Sequence, residues 1–278
     1  MFLRQGRKDL GRLLSFLSRE PDLNLFLISD LEAHGLDSPI VACWADPDPV
    51  GDFRAVLLRY RTNFLAYIPD ARPVETVDLP GARAILAADD TWEFLSGTPH
   101  SVAGFLSIPP GFRKKTLQTF SRISSVDRFR PCHAGFPLRP LESRDAGAYL
   151  DLRSRIREFL VTIRLEEAAD SLESGRWISV GLFAPDGSLL SSATLTAINR
   201  QAGMVVGVMT RPDARRRGYA GACVSWLCDR LLADGRHPCL FYDNPEAGSI
   251  YRRLGFDPFA EWRMLERGPA APEDLGKT

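Results

Sequence analysis

Lysine is nearly absent from this chain. Four of its 278 residues are lysine, at positions 8, 114, 115 and 277, against 31 arginines. With so strong a bias an isolated arginine carries no signal; only a cluster in a defined structural setting does. Excess charge is absent too, because Lys+Arg and Asp+Glu both number 35. That argues against a general nucleic-acid binder, which carries a basic excess. The five cysteines, at 43, 132, 223, 228 and 239, form no C-x-x-C and no His/Cys ligand spacing, and their count is odd. A disulfide framework and a metal site are both unexpected, and a reducing cytoplasm is the natural compartment. Cys223 and Cys228 read as small core residues. No apolar run is long enough to span a membrane. Arg4, Arg7, Lys8 and Asp9 stand where a secretory leader would need an apolar core, so no leader is expected. What remains is 45% hydrophobic and 25% charged, an ordinary soluble composition with length for two domains.

Along the chain, Leu10, Leu13, Leu14 and Leu17 give a helical period over 8–19, and a leucine-rich second helix spans 23–34. Short β-like runs follow at Ile40–Trp44, Phe53–Tyr60 and Phe64–Ile68, the last two forming a hairpin across Arg61-Thr62-Asn63. Residues 82–88 read equally as strand or helix. A helix is expected near Thr98–Leu106 and a strand over Lys115–Ile123, with Ile108-Pro109-Pro110-Gly111 a break between them. This half has no glycine-rich loop at a strand–helix junction and no cluster of His, Cys or acidic residues. Residues 131–137 hold two prolines and a glycine and read as a linker; His133 within it reads as exposed. Beyond lie a short strand from Leu138, a helix from Ser143 to about Phe159 with Ala148, Leu152 and Ile156 on one stripe, and a second helix over Glu166–Leu172. Three strands follow, Trp177–Phe183, Leu189–Ile198 and Gly203–Thr210, the first two joined by the turn Pro185-Asp186-Gly187.

The densest signal runs from Met204 to Ala233. Val205, Val206 and Val208 make a β-branched strand that Pro212 ends. Val224, Leu227, Cys228 and Leu231 mark the buried stripe of a helix beginning near Gly218. Between them stand Arg211, Arg215, Arg216 and Arg217. A helix start is a poor place for cations, each unfavourable by roughly 0.3–1 kcal/mol against the macrodipole. Arginines beside free amides and a glycine instead describe an anion cradle. The plainer alternative is a solvated basic turn.

Arg215-Arg216-Arg217-Gly218-Tyr219-Ala220 resembles the coenzyme A motif of the GNAT superfamily of N-acetyltransferases: Gln or Arg, two residues, Gly, one residue, then Gly or Ala. The preceding strand and Thr210-Arg211-Pro212 are similar to that family as well. A second block, Cys239 to Phe256, adds a strand, Asn244, a short helix bearing Tyr251 and a terminal Gly-Phe; after it Trp262–Leu265 reads as one more strand. The resemblance implies that amides of residues 215–220 grip the pyrophosphate of acetyl-CoA. It implies that Val208, Met209 and Thr210 pair with the pantetheine arm, that Asn244 contacts the same region, and that the Tyr251 hydroxyl protonates the leaving thiolate. Read from the residues alone, Asn244 is equally a helix cap and Tyr251 equally a core residue. Many members carry a glutamate base on the strand; Val205 to Met209 contains no acid, so the base is unassigned.

The segment N-L-F-L-I-S-D-L-E-A-H-G-L-D at 24–37 resembles the opening of two-domain bacterial acetyltransferases. The implied fold class is α/β (α+β): two GNAT-like domains, each a mixed, mostly antiparallel sheet flanked by helices. A degenerate domain is expected over 1–130, a linker over 131–137, the acetyltransferase domain over 138–267 and a loose tail over 268–278; an unrelated α/β cap is the alternative for the first half. The implied activity is acetyl transfer from acetyl-CoA to the amine of a small molecule or peptide, with neither nucleic acid nor membrane as partner. A non-catalytic coenzyme-A-binding or scaffold protein is the alternative. The sequence is compatible with a monomer or a homodimer.

Overall fold

The structure is a computed structural model that describes residues 1–106, 111–132, 137–156, 159 and 163–268. The chain divides into two compact units: residues 1–120 with the segment from Ala260 onward, and residues 121–259.

In the first unit, strand β1 (Leu3–Arg4) leads into helices α1 (Leu10–Leu17) and α2 (Leu25–His34). Strands β2 (Val41–Pro47), β3 (Phe53–Tyr60) and β4 (Asn63–Tyr67) then form an antiparallel meander. Its hairpin turns at Arg61, whose φ of +54° matches the tight expected break. Helix α3 (Leu79–Ala87) settles the ambiguous 82–88 run. Asp78 caps it by accepting from the Gly81 N–H, and Pro80 sits in its first turn. Strand β5 (Phe94–Gly97) pairs parallel to β4; helix α4 (Pro99–Val102) and strand β6 (Phe112–Arg122) follow. The core gathers Leu57, Phe64, Leu86, Trp92, Leu95 and Phe105 between sheet and helices.

The second unit repeats this order. Strand β7 (Leu138–Pro140) is followed by helices α5 (Ala146–Ser154) and α6 (Leu165–Glu173), then by strands β8 (Ile178–Phe183), β9 (Leu189–Thr196) and β10 (Ala202–Thr210) in an antiparallel run. Helix α7 (Tyr219–Ala233), strand β11 (His237–Tyr242), parallel to β10, and helix α8 (Pro245–Leu254) complete it, and strand β12 (Asp257–Arg267) follows in chain order. Both units are thus mostly antiparallel sheets with one parallel pair, flanked by helices.

The division differs from the expected boundaries. It falls between Phe120 and Ser121 rather than in 131–137. Most of β12 joins the first unit, because Arg263–Glu266 pairs antiparallel with Phe94–Gly97. Residue 132 is no free linker either: its N–H donates to Ser225 Oγ at 2.9 Å and its thiol lies against the first turn of α7. His133 and residues 269–278 of the expected tail lie outside the described residues.

At the head of α5 the Arg139 guanidinium grips the Asp145 carboxylate with two hydrogen bonds of 2.7 and 2.8 Å. Asp145 also accepts from the Glu142 N–H at 2.9 Å. The Arg139 hydrogen bonds hold its carboxyl below the ordinary value, against the opposing effect of burial. A carboxyl whose pKa falls on folding stabilises the fold above its unfolded value near 4, and the contribution fades as pH drops through the folded value. Asp145→Asn is therefore expected to lower the unfolding temperature at pH 7. Its gap from the native protein should close as pH falls from about 4 towards 2. A gap independent of pH would assign the loss to packing.

Candidate coenzyme site in the second unit

Strands β10 and β11 are bonded only over Ala202–Met204 and His237–Cys239. Beyond that point both continue without pairing to each other, β10 to Thr210 and β11 to Tyr242. Parallel strands that part at their carboxyl ends open a crevice where ligands bind in open α/β sheets.

A bulge shapes the β10 side of this crevice. Val206 pairs with Thr194 and Met209 with Ser192, so Gly207 and Val208 together face the single residue Ala193. The extra residue lies outside the ladder. Gly207 has φ +58°, a conformation that favours glycine. The bulge also sends neighbouring side chains to different cores. Val208 packs with the α7–α8 cluster that includes Tyr251, whereas Met209 packs with the α5–α6 cluster that includes Tyr149. Thr210 shares a 2.9 Å hydrogen bond with Ser191.

The turn after β10 is built in layers. Arg211 is held by Asp213 at 2.7 Å and by Ser188 Oγ at 3.1 Å. Pro212–Ala214 forms one turn of 3-10 helix, and the Arg215 Nε–H donates back to the Thr210 carbonyl at 3.4 Å. Arg216 and Arg217 are exposed and form no ion pair among the described residues. Arg216 has φ +63° and Gly218 φ +84°, with Arg217 between them in an ordinary conformation. Alternation of left-handed and ordinary residues is the backbone pattern of anion-binding nests. Helix α7 then starts at Tyr219 with no side-chain cap, leaving its first-turn N–H groups outward. Tyr219 itself turns inward onto Leu182 and Ala214, with Leu138 and Leu190 alongside. Its ring anchors the loop, and only its backbone N–H can face an anion. Ala220 is half-buried, and Gly218 has open space where a side chain would stand.

Across the crevice, the Asn244 side chain caps α8, accepting from the Glu246 N–H at 2.8 Å. Its Oδ1 is engaged in that role, and its Nδ2 retains two donors. Tyr251, 7% exposed, packs at a tilt against Tyr242 at 5.7 Å and edge-on against Phe256 at 5.9 Å between ring centroids. Burial pushes its hydroxyl up to about 12.

Sequence reasoning missed the polar side of the bulge. The stripe expected on α5 was Ala148, Leu152 and Ile156, whereas the residues most buried are Ala146, Tyr149, Leu152 and Ile156. Tyr149 brings a hydroxyl to Gly207: a Cβ on that glycine would stand 3.0 Å from it and 3.7 Å from Thr194 Oγ1. Thr194 bonds Tyr149 and, at 2.8 Å, Ser179. The only available signal was the concentration of hydroxyls in Ser191-Ser192-Ala193-Thr194, too polar for an ordinary buried strand. Glu166 and Glu167 lie in the first turn of α6. Among the described residues no group of His, Cys, Asp and Glu could hold a metal ion.

The first unit shows what the same topology does without the motif. The Asp78 carboxylate engages the Gly81 N–H in the first turn of α3, so this helix start is capped where α7 is not. Ser101 Oγ accepts from the Ile68 N–H at 2.9 Å and donates to the Ile68 carbonyl at 3.2 Å, tying α4 to the end of β4. Gly97 brings β5 so near that a Cβ there would lie 2.5 Å from the Ala66 carbonyl oxygen. The parallel pair is sealed at the point where β10 and β11 part.

The two units thus share one topology of two helices, three antiparallel strands, a helix, a parallel strand and a helix, and the second is open at its parallel pair. Residues 139–265 match the family model of the GNAT acetyltransferases. Solved structures extend the likeness to the first unit. A tandem GNAT protein from the clavulanic acid biosynthesis pathway aligns over 98% of this chain and 99% of its own, with TM-score 0.62 and 15% identity. A GCN5-related N-acetyltransferase from Sphaerobacter thermophilus aligns over 97% of both, with TM-score 0.63 and 17% identity. An acetyltransferase of the GNAT family from Novosphingobium aromaticivorans covers 90% of this chain and 97% of its own, at TM-score 0.56 and 17% identity. At such identities the likeness is one of fold. No curated protein matches the sequence.

Proposed function

We propose that the second unit moves an acetyl group from acetyl-CoA to an amine of a small molecule or peptide, by direct attack of the amine on the thioester. The observation that carries this reading is the turn 215–220, where two exposed, unpaired arginines stand beside a nest and an uncapped helix start. Amides of Gly218, Tyr219 and Ala220 hold the pyrophosphate, with the Arg216 and Arg217 guanidinium groups over it. Arg215 braces the loop. The free edge of Val208, Met209 and Thr210 pairs with the pantetheine arm, as an added strand would. Asn244 Nδ2 donates to the same arm, and Tyr251 supplies the proton that the departing sulfur takes up. The five free cysteines fit action in a reducing cytoplasm.

Attack requires a neutral amine and therefore an acceptor for its proton. The strand Ala202–Thr210 holds no acid. That observation favours a second reading, a non-catalytic coenzyme-A-binding protein that keeps the fold. Thiol release from acetyl-CoA over a mixed panel of amines separates the two.

The coenzyme assignment is tested by titration calorimetry with acetyl-CoA. The native protein is expected to bind in the micromolar range. Arg217→Glu, which reverses one exposed charge at an ordinary backbone position, should bind about tenfold more weakly, the worth of a hydrogen bond to a charged group. No binding by the native protein sinks the reading.

A further inference from the structure

We infer that the Tyr149 hydroxyl is a catalytic group of this site: it donates a hydrogen bond to the acyl carbonyl oxygen and steadies the charge that develops there during transfer. The inference rests on the coenzyme reading above and adds to it a residue from the α5 side of the sheet.

Position carries the argument. The bulge at Gly207–Val208 is the one interruption in the β9–β10 ladder beside the crevice. On a residue with a side chain, the atom attached to position 207 would press on the Tyr149 oxygen at 3.0 Å. Glycine thus does two things here: it adopts φ +58°, and it leaves the space over the bulge to a phenol. The phenol is fixed from several sides. The residue is 3% exposed, and its ring lies 5.6 Å from that of Trp177. Its oxygen meets the Thr194 hydroxyl and the Arg153 guanidinium. Thr194 is in turn set by Ser179 at 2.8 Å. Charge-stabilising donors work best when they are held in place before the reaction, because no reorganisation is then needed.

Charge and proton state agree with a donor role. Burial raises the Tyr149 hydroxyl above its ordinary value, and the hydrogen bonds from Thr194 and Arg153 counter that only in part. The group therefore keeps its proton at neutral pH. Arg153 also adds positive potential where negative charge would appear. In the step itself the amine nitrogen bonds to the carbonyl carbon while the carbonyl π pair moves to oxygen. On collapse the oxygen's pair re-forms the carbonyl, the carbon–sulfur bond breaks and the sulfur leaves with the bonding pair; the nitrogen releases its proton and the sulfur takes one up from Tyr251. Tyr149 retains its proton throughout.

The test uses the full chain with acetyl-CoA and CoA as probes and needs no knowledge of the acceptor. If Tyr149 bonds the acyl oxygen, native protein binds acetyl-CoA more tightly than CoA. In Tyr149→Phe that preference should shrink by about fivefold, with CoA affinity unchanged. Thr194→Val, which removes the hydroxyl that aims the phenol, should shrink it in the same direction. Isotope-edited infrared spectra of acetyl-CoA labelled at the carbonyl carbon give a second readout. The bound carbonyl stretch should rise in Tyr149→Phe as the hydrogen bond is lost. An unchanged preference and an unchanged stretch in a variant that still binds CoA would overturn the proposal and leave the coenzyme reading standing. Failure of the native protein to bind either probe would overturn both.

Discussion

Tyr251→Phe is expected to slow acetyl transfer by about a hundredfold while leaving acetyl-CoA affinity within a factor of two, the lower end of what one general acid contributes. The ring would remain packed on Tyr242 and Phe256, so the variant removes one oxygen from a site that is otherwise intact. Burial alone shifts that hydroxyl, with no side-chain hydrogen bond acting on it among the described residues. With its pKa pushed up to about 12 by burial, Tyr251 carries a proton at every working pH. A phenol of that pKa is a weak acid for an ordinary thiolate near 8.5. The burial that raises the phenol, however, also raises a thiol released beside it, and the gap narrows. A pH signature follows: the rate should show no alkaline limb from this group below about pH 11. The assay is thiol release under saturating acetyl-CoA, with calorimetry on the same samples. Equal losses in rate and affinity would make Tyr251 a packing residue, and an unchanged rate would mean that solvent protonates the sulfur.

What the sequence made legible here is what depends on local chemistry. The turn 215–220 could be read because charge, glycine and helix start coincide within six residues. The cap at Asn244 and the left-handed end at Gly255 were legible for the same reason. Helix α3 was ambiguous in its apolar pattern, yet Asp78 and Pro80 supplied start signals that decide it. The β10 bulge was not legible, since valine and glycine give no sign of which strand residue will lack a partner. Tyr149 was missed because its stripe is apolar apart from one oxygen, and that oxygen acquires meaning only when Gly207 is brought beneath it. The placement of β12 was missed for a different reason. Trp262–Leu265 reads as a strand wherever it pairs, and its partner Phe94–Gly97 is only four residues long. The first unit shows the converse: the closure of its parallel pair depends on Asp78, Gly97 and Ser101, three small residues with no signature until their contacts are known.

Gly255→Ala is expected to cost about 3–5 kcal/mol of stability, the largest effect of any single methyl group proposed here. Two penalties combine. The residue has φ +100°, which L side chains rarely adopt. An added Cβ would also lie 2.0 Å from the Arg128 carbonyl oxygen, 2.8 Å from its carbon and 3.3 Å from the Phe129 Cα. All three are backbone atoms and cannot swing aside as a side chain would. The segment is further pinned by the Arg130 N–H, which donates to the Leu254 carbonyl at 3.0 Å. Gly187→Ala isolates the first penalty, since that glycine has φ +83° with open space around it, and should cost only about 1 kcal/mol. Urea unfolding of the two variants side by side measures the difference. Because the Phe256 N–H closes α8 on the Tyr251 carbonyl at 3.0 Å, a displaced Gly255 also shifts the turn that carries Tyr251. The variant should therefore lose turnover even where it remains folded. Equal destabilisation at 187 and 255 would mean that residues 128–130 yield to the methyl group, and that the end of α8 is held less firmly than its contacts imply.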